Sequence, residues 1–450
     1  MVWLDTQILM HPKVRETSGH TENFNDPLID DKNTGERFRA DKIIEERIEE
    51  MRIKRTNPTS NPVGEDGHPP TNEQILTRLT TTYSIPNLIP ESRTFEQMKN
   101  FIIHEIPYNP NDKKKKQKAD RTDVRKFQMM FYTYQGVLFD EENKVWLRPE
   151  TAQGIFINFK NIIDSMRVRV PFWIAQIGKS FRNEITPKNF IFRTREFEQM
   201  EIEYFVEADE QKAKEAFDDR KQASLNRWQN ILKLKADNLK FREHEREELS
   251  HYSSMTFDVE YKYPRWRGEL QGIANRTDFD LKAHQEASGT SMQYDDPFTG
   301  KRYIPYVIEP SFGLTRTVLA VMLDCYDEEN YEDGNGNQNT RVVLRFPQSI
   351  APVKVAILPL IKKDDEQVKI AGNIYDQLSQ YMYVEYDDGG AIGKRYRRQD
   401  EIGTPYCITV DHQSVEDGTV TLRHRDSMEQ VRVHKDELLS YLRPCPNQKL

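Results

Sequence analysis

The spacing of apolar positions changes along the chain, and each change predicts an element. Around Glu201 apolar and polar residues alternate. Met200, Ile202, Tyr204 and Val206 fall on one face of a strand, and Arg193, Arg195, Phe197, Gln199, Glu201 and Glu203 on the other. The apolar face is expected to pack on a core, leaving the charged face open to a cleft. The stretch from Ile185 to Asn189, centred on Thr186-Pro187-Lys188-Asn189, carries the turn chemistry to fold Phe181 to Glu184 back beside Phe192 to Val206 as a hairpin. Helical spacing governs Glu150 to Ser165, where Ile155, Phe159, Ile162 and Ile163 predict an amphipathic helix behind a polar start.

Other segments follow the same logic. Residues 1 to 40 read as short strands and turns, and Asp41 to Arg55 as a helix with charges of both signs. Thr56 to Pro90 is rich in Pro, Asn, Thr and Gly and reads as a linker or inserted loop. Asp120 to Gly136 predicts helix then strand. Glu210 to Arg246, with Trp228, Ile231, Leu232 and Leu234, predicts a charged helix in a second insertion. Arg302 to Glu309 is strand-like, Leu314 to Tyr326 a buried helix, and Asn330 to Thr340 a loop rich in Gly and Asn. After Pro352 the run VKVAILPL predicts a strand buried in a parallel or mixed sheet, and Val368 to Tyr381 an amphipathic helix. A boundary near 345 to 352 therefore divides 1–348, with insertions near 56–120 and 207–250, from an α/β appendage at 349–450.

Composition narrows the class. With 450 residues, 36% hydrophobic and 31% charged, the chain can bury a sizeable core under a charged skin. Cys325, Cys407 and Cys445 are too few and too scattered for a disulfide framework or a metal-ligand pattern, which points to a reducing, cytoplasmic compartment. No apolar run suits a bilayer, and Asp5 interrupts the start where a secretory segment would be apolar. A net charge of −8 argues against indiscriminate nucleic-acid binding, yet two basic patches remain. Lys113-Lys114-Lys115-Lys116-Gln117-Lys118, in a Pro- and Asn-rich context, reads as a flexible, solvated basic loop. Gly393-Lys394-Arg395-Tyr396-Arg397-Arg398 interleaves an aromatic ring with cations, a pattern suited to unpaired nucleotides.

The segment from Phe181 to Glu201 carries three arginines among several carboxylates. Guanidinium forks suit phosphates, and carboxylates suit an amine or a metal. A phosphate site beside an amine site is the expectation, against the plainer alternative of a solvated face stitched by ion pairs. LRPETAQGIF (Leu147 to Phe156), QIGKSFRNEITPKNFIFRTREFEQMEIEYF (Gln176 to Phe205), RTDFDL (Arg276 to Leu281), YVIEPSFGLTR (Tyr306 to Arg316) and IGKRYRRQDEIGTPYC (Ile392 to Cys407) together resemble the glycyl-tRNA synthetases of the dimeric kind, over essentially the whole chain. That resemblance implies an α+β fold: a class II antiparallel sheet flanked by helices, then a C-terminal α/β anticodon-binding domain. It also implies a cytoplasmic homodimer with no membrane association, acting on glycine, ATP and tRNA(Gly) with Mg2+.

Residue roles follow from the resemblance. Arg182, with Asn183 and Glu184, matches the second class II motif, whose arginine grips the ATP α-phosphate and the reacting carboxylate. Phe192, Arg193, Thr194, Arg195, Glu196 and Phe197 match the segment lining adenine and triphosphate. Gly313, Leu314, Thr315 and Arg316 match the third motif, with Arg316 at the γ-phosphate. Catalytic roles thus fall to Arg182, Glu184 and Arg316. Glu269 and Leu270 match the ATP and magnesium segment, and Glu269 is the implied metal ligand. Glycine is implied to meet Arg39, Glu150, Glu201, Glu309 and Ser311, within a set that also takes in Phe197, Glu198, Gln199, Met200, Pro310, Phe312 and Gly313. Strand parity sets Glu198 on the face opposite Glu201, which makes it the weaker of the two. Several acids meeting the ammonium, in a space too tight for a methyl group, would reject alanine by overlap. His20 and His251 read as structural, since adenylate chemistry needs no protein base.

Departures from the family are specific. The chain opens at the strand and Pro12 that close the first motif, so the helix before them is not represented and the implied dimer is less secure. Arg15 stands where tryptophan is usual, and Trp266-Arg267-Gly268-Glu269-Leu270-Gln271 replaces GWGELWG. Losing two aromatic contacts beside the adenylate would weaken activity. The segment DPLIDDKNTGERFRAD has no cysteine, so the zinc of some relatives is not expected. A different-class alternative is a catalytically silent, nucleic-acid-binding paralogue of the same fold. Intact Arg182, Glu184, Arg316 and Glu309 argue against it, because mutually repelling buried acids serve no purpose around an empty pocket.

Overall fold

The first strand, β1 (Val2–Trp3), leads into two short helices, α1 (Pro12–Thr17) and α2 (His20–Asn23). Pro12 starts α1 with its φ already helical, and Gly19 at φ 75° turns the chain between the helices. Those two residues explain why helices stand where only strands and turns were expected. The computed structural model describes residues 1–53, 77, 81–82, 94–112, 114, 117–244, 253–332 and 336–442. Most of the segment 56–90, Lys113, Lys115 and Lys116 of the lysine run, His251 and Cys445 lie outside them.

Strands β2 (Asn25–Asp30), β3 (Arg37–Arg39) and β4 (Arg125–Gln128) form an antiparallel sheet in the order β3-β2-β4. Helices α3 (Ala40–Ile53) and α4 (Phe95–Glu105) cover it, burying Ile44, Ile48, Met98, Phe101 and Ile102 with Ile29. The α4 start is a reciprocal box between Thr94 and Gln97. The helix expected after Asp120 is replaced by β4, whose Arg125 to Gln128 pair with Leu28 to Asn25, and by β5 (Tyr132–Tyr134). That second strand forms a hairpin with β6 (Lys144–Trp146).

The central elements are α5 (Ala152–Met166), β7 (Phe172–Phe181), β8 (Glu196–Val206), α6 (Glu210–Asn226), β9 (Leu239–Glu243), β10 (Met255–Lys262) and β11 (Arg267–Thr277). After them come α7 (Phe279–Ser288), β12 (Tyr294–Asp295), β13 (Arg302–Tyr303), β14 (Tyr306–Gly313) and α8 (Leu314–Cys325). Seven strands form one sheet in the order β1-β7-β8-β14-β11-β10-β9. The amphipathic helix foreseen at Glu150 to Ser165 is α5, whose Ile155, Phe156 and Phe159 pack with Phe172, Ile174 and Phe205. Three expectations need correction. Pro305 splits the strand foreseen at Arg302 to Glu309, having no N–H for the ladder, so β13 pairs with β12 and only β14 enters the large sheet. The helix from Glu210 stops short of Arg246: a π turn over Arg227–Ile231 and Lys233 at φ 58° end it before β9. α8 is buried on one side only, with Val318 and Met322 exposed.

The described chain divides into two compact units: Met1–Ala216, Glu243–Thr256 and Gly272–Thr315; and Phe217–Arg242, Phe257–Gln271 and Arg316–Leu450. In the second unit β15 (Tyr326–Glu332) and β16 (Gln338–Leu344) make a hairpin, paired from Tyr326↔Leu344 to Glu332↔Gln338. The loop expected at Asn330 to Thr340 is therefore mostly ladder. Beyond it, β17 (Val355–Pro359), α9 (Asp365–Ser379), β18 (Val384–Tyr386), α10 (Ile392–Ile402) and β19 (Tyr406–Val410) begin an α/β body. α11 (His412–Asp417), β20 (Thr419–His424), β21 (Gln430–His434) and α12 (Leu438–Leu442) complete it. The sheet order is β18-β17-β19-β20-β21, parallel across the first three strands and antiparallel beyond, the mixed sheet that the apolar VKVAILPL run predicts.

The basic patch at the start of α10 is part buried and part exposed. Arg395 is buried and donates to the Pro359 and Leu360 carbonyls, and Tyr396 hydrogen-bonds Thr409 beneath Arg423. Arg397 pairs with Asp400 and Arg398 with Asp387, while Lys394 and Arg398 stay exposed. Arg395 and Tyr396 thus hold the domain together, and the exposed cations face solvent.

Candidate active site

Strand β8 lies between β7 and β14, with Glu201 opposite Gln176 on one side and Ser311 on the other. The hairpin predicted around Ile185 to Asn189 forms the β7–β8 pair. Its faces, however, are inverted relative to expectation. Gln199, Glu201, Glu203 and Phe205 are buried, whereas Met200, Ile202 and Tyr204 are only half-buried. The reason is tertiary: α5 packs against the face that bears Phe205, and the carboxylates are sealed beneath the same layer. Arg193 and Arg195 precede the strand and do not continue its charged face.

Every carboxylate in this layer has a different environment. Glu201 accepts from the Thr151 backbone N–H at 2.8 Å, from the Thr151 hydroxyl, from Gln199 and from Ser311 Oγ at 3.2 Å. Burial, then the charge of Glu150, pushes its carboxyl up to about 7. Glu309 accepts from Arg276 Nη1 at 2.9 Å, yet burial, with Glu201 and Glu150 adding to it, outweighs that arginine and raises it to about 8. Glu203 is fully buried, neither of its carboxyl oxygens has a hydrogen-bond partner among the described residues, and burial followed by repulsion from Glu309 raises it well above the usual range. Glu150 goes the other way. Burial alone would raise it, but His20, Arg276 and the Gln153 amide more than offset that and hold it well below the usual carboxylate range.

Arg276 is the cation at the centre. It donates to Asp280 through Nε at 2.7 Å and Nη2 at 2.9 Å, and its guanidinium lies over the Phe156 ring. Neither Arg276 nor Asp280 had an assigned role in the sequence reading, although both stand in the RTDFDL block. Arg276 stands at the end of β11 and Asp280 at the start of α7, so the turn between them brings the pair together, and no helical spacing signalled it. Thr151 was likewise missed; it follows Glu150 directly and precedes α5, a position that presents its backbone N–H.

Arg182 lies between two aromatic rings, its guanidinium 5.4 Å from both the Phe24 and Phe197 centroids. Its Nε donates to the Pro149 carbonyl at 3.2 Å, and among the described residues its two terminal nitrogens have no hydrogen-bond partner. Such a held, unsatisfied fork is suited to phosphate or carboxylate oxygens. Asn183 is pinned through its backbone N–H to the Met129 carbonyl, and the Glu184 carboxylate lies 3.9 Å from Arg193 Nε. Phe192 is buried, Arg195 is exposed and donates to the Glu184 carbonyl, Thr194 bonds the Glu196 carbonyl, and Glu196 pairs with Lys179. Glu198 is exposed, its backbone held by the Thr315 hydroxyl, and Met200 shares its side of the strand. Pro310 and Phe312 are buried, and Gly313 and Leu314 are half-buried at the junction of β14 and α8.

Arg39 stands apart from the acid cluster. It is bound to Asp41 through Nε and Nη2 and lies 3.1 Å from Asp26, lining a cavity of about 450 Å3 with Lys42, Glu184, Lys188 and Arg193. Burial raises Asp26 to about 6 even against Arg39. In the second unit, Arg316 Nη1 donates to the Glu269 carbonyl at 3.1 Å and lies 3.8 Å from its carboxylate. The Glu269 side chain is half-exposed and Leu270 is buried. Gln271, where the family's pattern has tryptophan, is fully buried, accepting from Trp228 and donating to Ser224. Arg15 also replaces an expected aromatic; it is buried, donates to Gln153 at 2.7 Å, and burial lowers it to about 10.

Comparison with known proteins agrees with this geometry. The family "tRNA synthetase class II core domain (G, H, P, S and T)" matches residues 132–326, "Glycyl-tRNA synthetase insertion domain 1" matches 26–129, and "Anticodon binding domain" matches 354–444. The insertion thus begins well before the segment from 56 that composition marked. Glycine–tRNA ligases of Staphylococcus aureus strains JH9 and Newman are 48% identical over 442 residues, covering 98% of this chain and 86% of theirs. Among solved structures, the prolyl-tRNA synthetase of Cryptosporidium parvum complexed with L-proline and AMP has a TM-score of 0.51 at 20% identity. That likeness covers 70% of this chain and 60% of the other, and it bears on the fold alone. With a relative this similar along nearly its whole length, the chain belongs to the glycine–tRNA ligase family of class II aminoacyl-tRNA synthetases.

Proposed function

We propose that the buried acids of β8, β14 and the approach to α5 receive the ammonium of glycine while Arg182 and Arg316 grip ATP, so that the chain ligates glycine to tRNA(Gly) through a glycyl-adenylate. The observation that carries this reading is the charge balance: Glu150, Glu201 and Glu309 surround one guanidinium, Arg276, which Asp280 already engages at two nitrogens. Such a site gains by taking in a compact cation. Ser311, hydrogen-bonded to both Gln199 and Glu201, would fix the wall on the β14 side.

The reaction needs positioning and charge compensation rather than a protein nucleophile. The glycine carboxylate attacks the α-phosphorus in line as pyrophosphate departs. Arg182, fixed between Phe24 and Phe197, offers its two terminal nitrogens to the equatorial oxygens, where negative charge grows. Arg316 takes the γ-phosphate end, and Glu184, beside Arg193, orders the neighbouring segment. Glu269 presents an oxygen donor beside Arg316. One exposed carboxylate suits Mg2+ shared with phosphate oxygens, whose charge that ion would neutralise. The terminal ribose hydroxyl of tRNA(Gly) then attacks the adenylate carbonyl and AMP leaves. Residues 1–348 form the catalytic domain in this reading and 349–450 the anticodon-binding domain, in a cytoplasmic homodimer.

Glycine-dependent exchange of labelled pyrophosphate into ATP tests the proposal. Exchange is expected with glycine and not with alanine, and Glu201→Gln should raise the glycine KM. A well-folded preparation that supports no exchange would refute it and leave the silent paralogue.

A further inference from the structure

A closed ring of side chains lies behind Glu150. Arg15 Nη1 donates to Gln153 Oε1 at 2.7 Å, and Gln153 Nε2 donates to Glu150 Oε1 at 2.5 Å. His20 Nε2 approaches the same Glu150 oxygen at 3.4 Å, while His20 Nδ1 lies 2.7 Å from Ser18 Oγ, which reaches the Arg15 carbonyl at 3.2 Å. The His20 and Glu150 side chains are nearly buried, with 11% and 14% of their surface exposed. The ring joins α1, α2 and the start of α5, and Glu150 is its one member with a part in the proposed chemistry.

The Ser18 hydroxyl has one proton and two acceptors within reach, and this gives the ring its properties. With that proton on Nδ1, His20 is neutral and its Nε2–H faces Glu150. With the proton turned to the Arg15 carbonyl, Ser18 accepts from Nδ1–H instead. The first arrangement presents Glu150 with a donor. Other charged groups acting on this pair are Arg276, Arg15, Glu201 and Glu309, of which the two arginines favour an ionised Glu150 and the two acids oppose it.

We propose that His20, steadied by Ser18, is a positioning residue that holds the Glu150 carboxylate in place ahead of amino-acid binding, so that Glu150 is the first group the ammonium meets. This rests on the assignment of the acid cluster to glycine. It accords with the different behaviour of three neighbouring acids: burial raises Glu201 and Glu309, whereas Glu150, faced by His20, Arg276 and Gln153, is held low. His20 does not touch the reacting atoms.

The test uses pyrophosphate exchange and calorimetry on the full chain. His20→Ala should raise the glycine KM about ten- to a hundredfold, the worth of a buried charge-assisted contact, with kcat and the ATP KM changed far less. Because Glu150 would then join its protonated neighbours, glycine binding near pH 7 should release more protons from His20→Ala than from the wild type. A merely structural histidine would not change that number. His20→Gln, which keeps an N–H donor without a titrating ring, should recover most of the glycine KM, and it keeps the test decisive if the alanine variant folds poorly. A glycine KM within twofold of wild type in His20→Ala, or a parallel fall in kcat and ATP affinity, would overturn the inference, as would a His20→Gln variant no better than alanine. An inactive wild type would instead count against the glycine assignment itself.

Discussion

Glycine binding to this site should expel protons, and the number can be worked from the acids described above. With Glu309 raised to about 8 and Glu201 to about 7, at pH 7 the first is about nine-tenths protonated and the second about half. Both are raised, so each holds its proton in the folded, empty site and gives it up as pH climbs through 7 and 8. An ammonium docked among them favours the ionised forms and moves that transition to lower pH. Release should therefore reach about 1.4 protons per glycine near pH 7, about 0.9 from Glu309 and about 0.5 from Glu201, and should fall away toward about pH 9, where both acids are largely ionised. Titration calorimetry in two buffers of different ionisation enthalpy reads the number directly. Glu309→Gln, which removes the more strongly protonated acid while keeping its shape, should cut release at pH 7 to about half a proton. A binding enthalpy that is the same in both buffers at pH 7 would refute the argument, because it would mean that the acids do not change state when glycine arrives.

Two further outcomes test the packing around the site. Arg276→Met should destabilise the protein by about 3 to 5 kcal/mol in urea unfolding, since it strips Asp280 and Glu309 of their buried partner; a midpoint unchanged from wild type would show that the pair is replaceable. Gly154→Ala should lower the unfolding midpoint by the equivalent of about 1 to 3 kcal/mol, because the added methyl would sit 2.8 Å from Thr6 Cβ and closer still to its hydroxyl, and Thr6→Gly in the same chain should recover part of the loss.

The alternation of β8 and its hairpin were readable from the sequence, but not which face would be covered. Periodicity says that Glu201 and Met200 point apart; it does not say on which side α5 will lie. The rule that the apolar face goes inward failed here because the buried face has its own apolar residue, Phe205, and because Thr151, Gln199 and Ser311 supply donors to Glu201 there. Glu150, Glu201, Glu309 and Ser311 were reached through resemblance, and the structure gathers Glu150, Glu201 and Glu309 around Arg276. Arg39 was named with them, but it is engaged by Asp41 and Asp26. The polar hairpin of β15 and β16 was missed because composition near its Gly- and Asn-rich tip outweighed a ladder that cross-strand ion pairs such as Arg341 with Glu329 support. The Arg395 to Arg398 patch was legible only in part: Arg395 is engaged by the Pro359 and Leu360 carbonyls, distant in sequence, and no local pattern reports that.

Glu203, buried and with neither oxygen hydrogen-bonded among the described residues, gives the site a property of a different kind. With Glu201 and Glu309, all three raised by burial, it gives the empty site the character of a weak-acid exchanger bed on a rigid support. A ligand enters such a bed by exchange, its positive charge taking the place of protons that leave for the buffer. Charge is therefore weighed before shape, and an uncharged mimic of glycine would have to bind against the exchanger rather than with it.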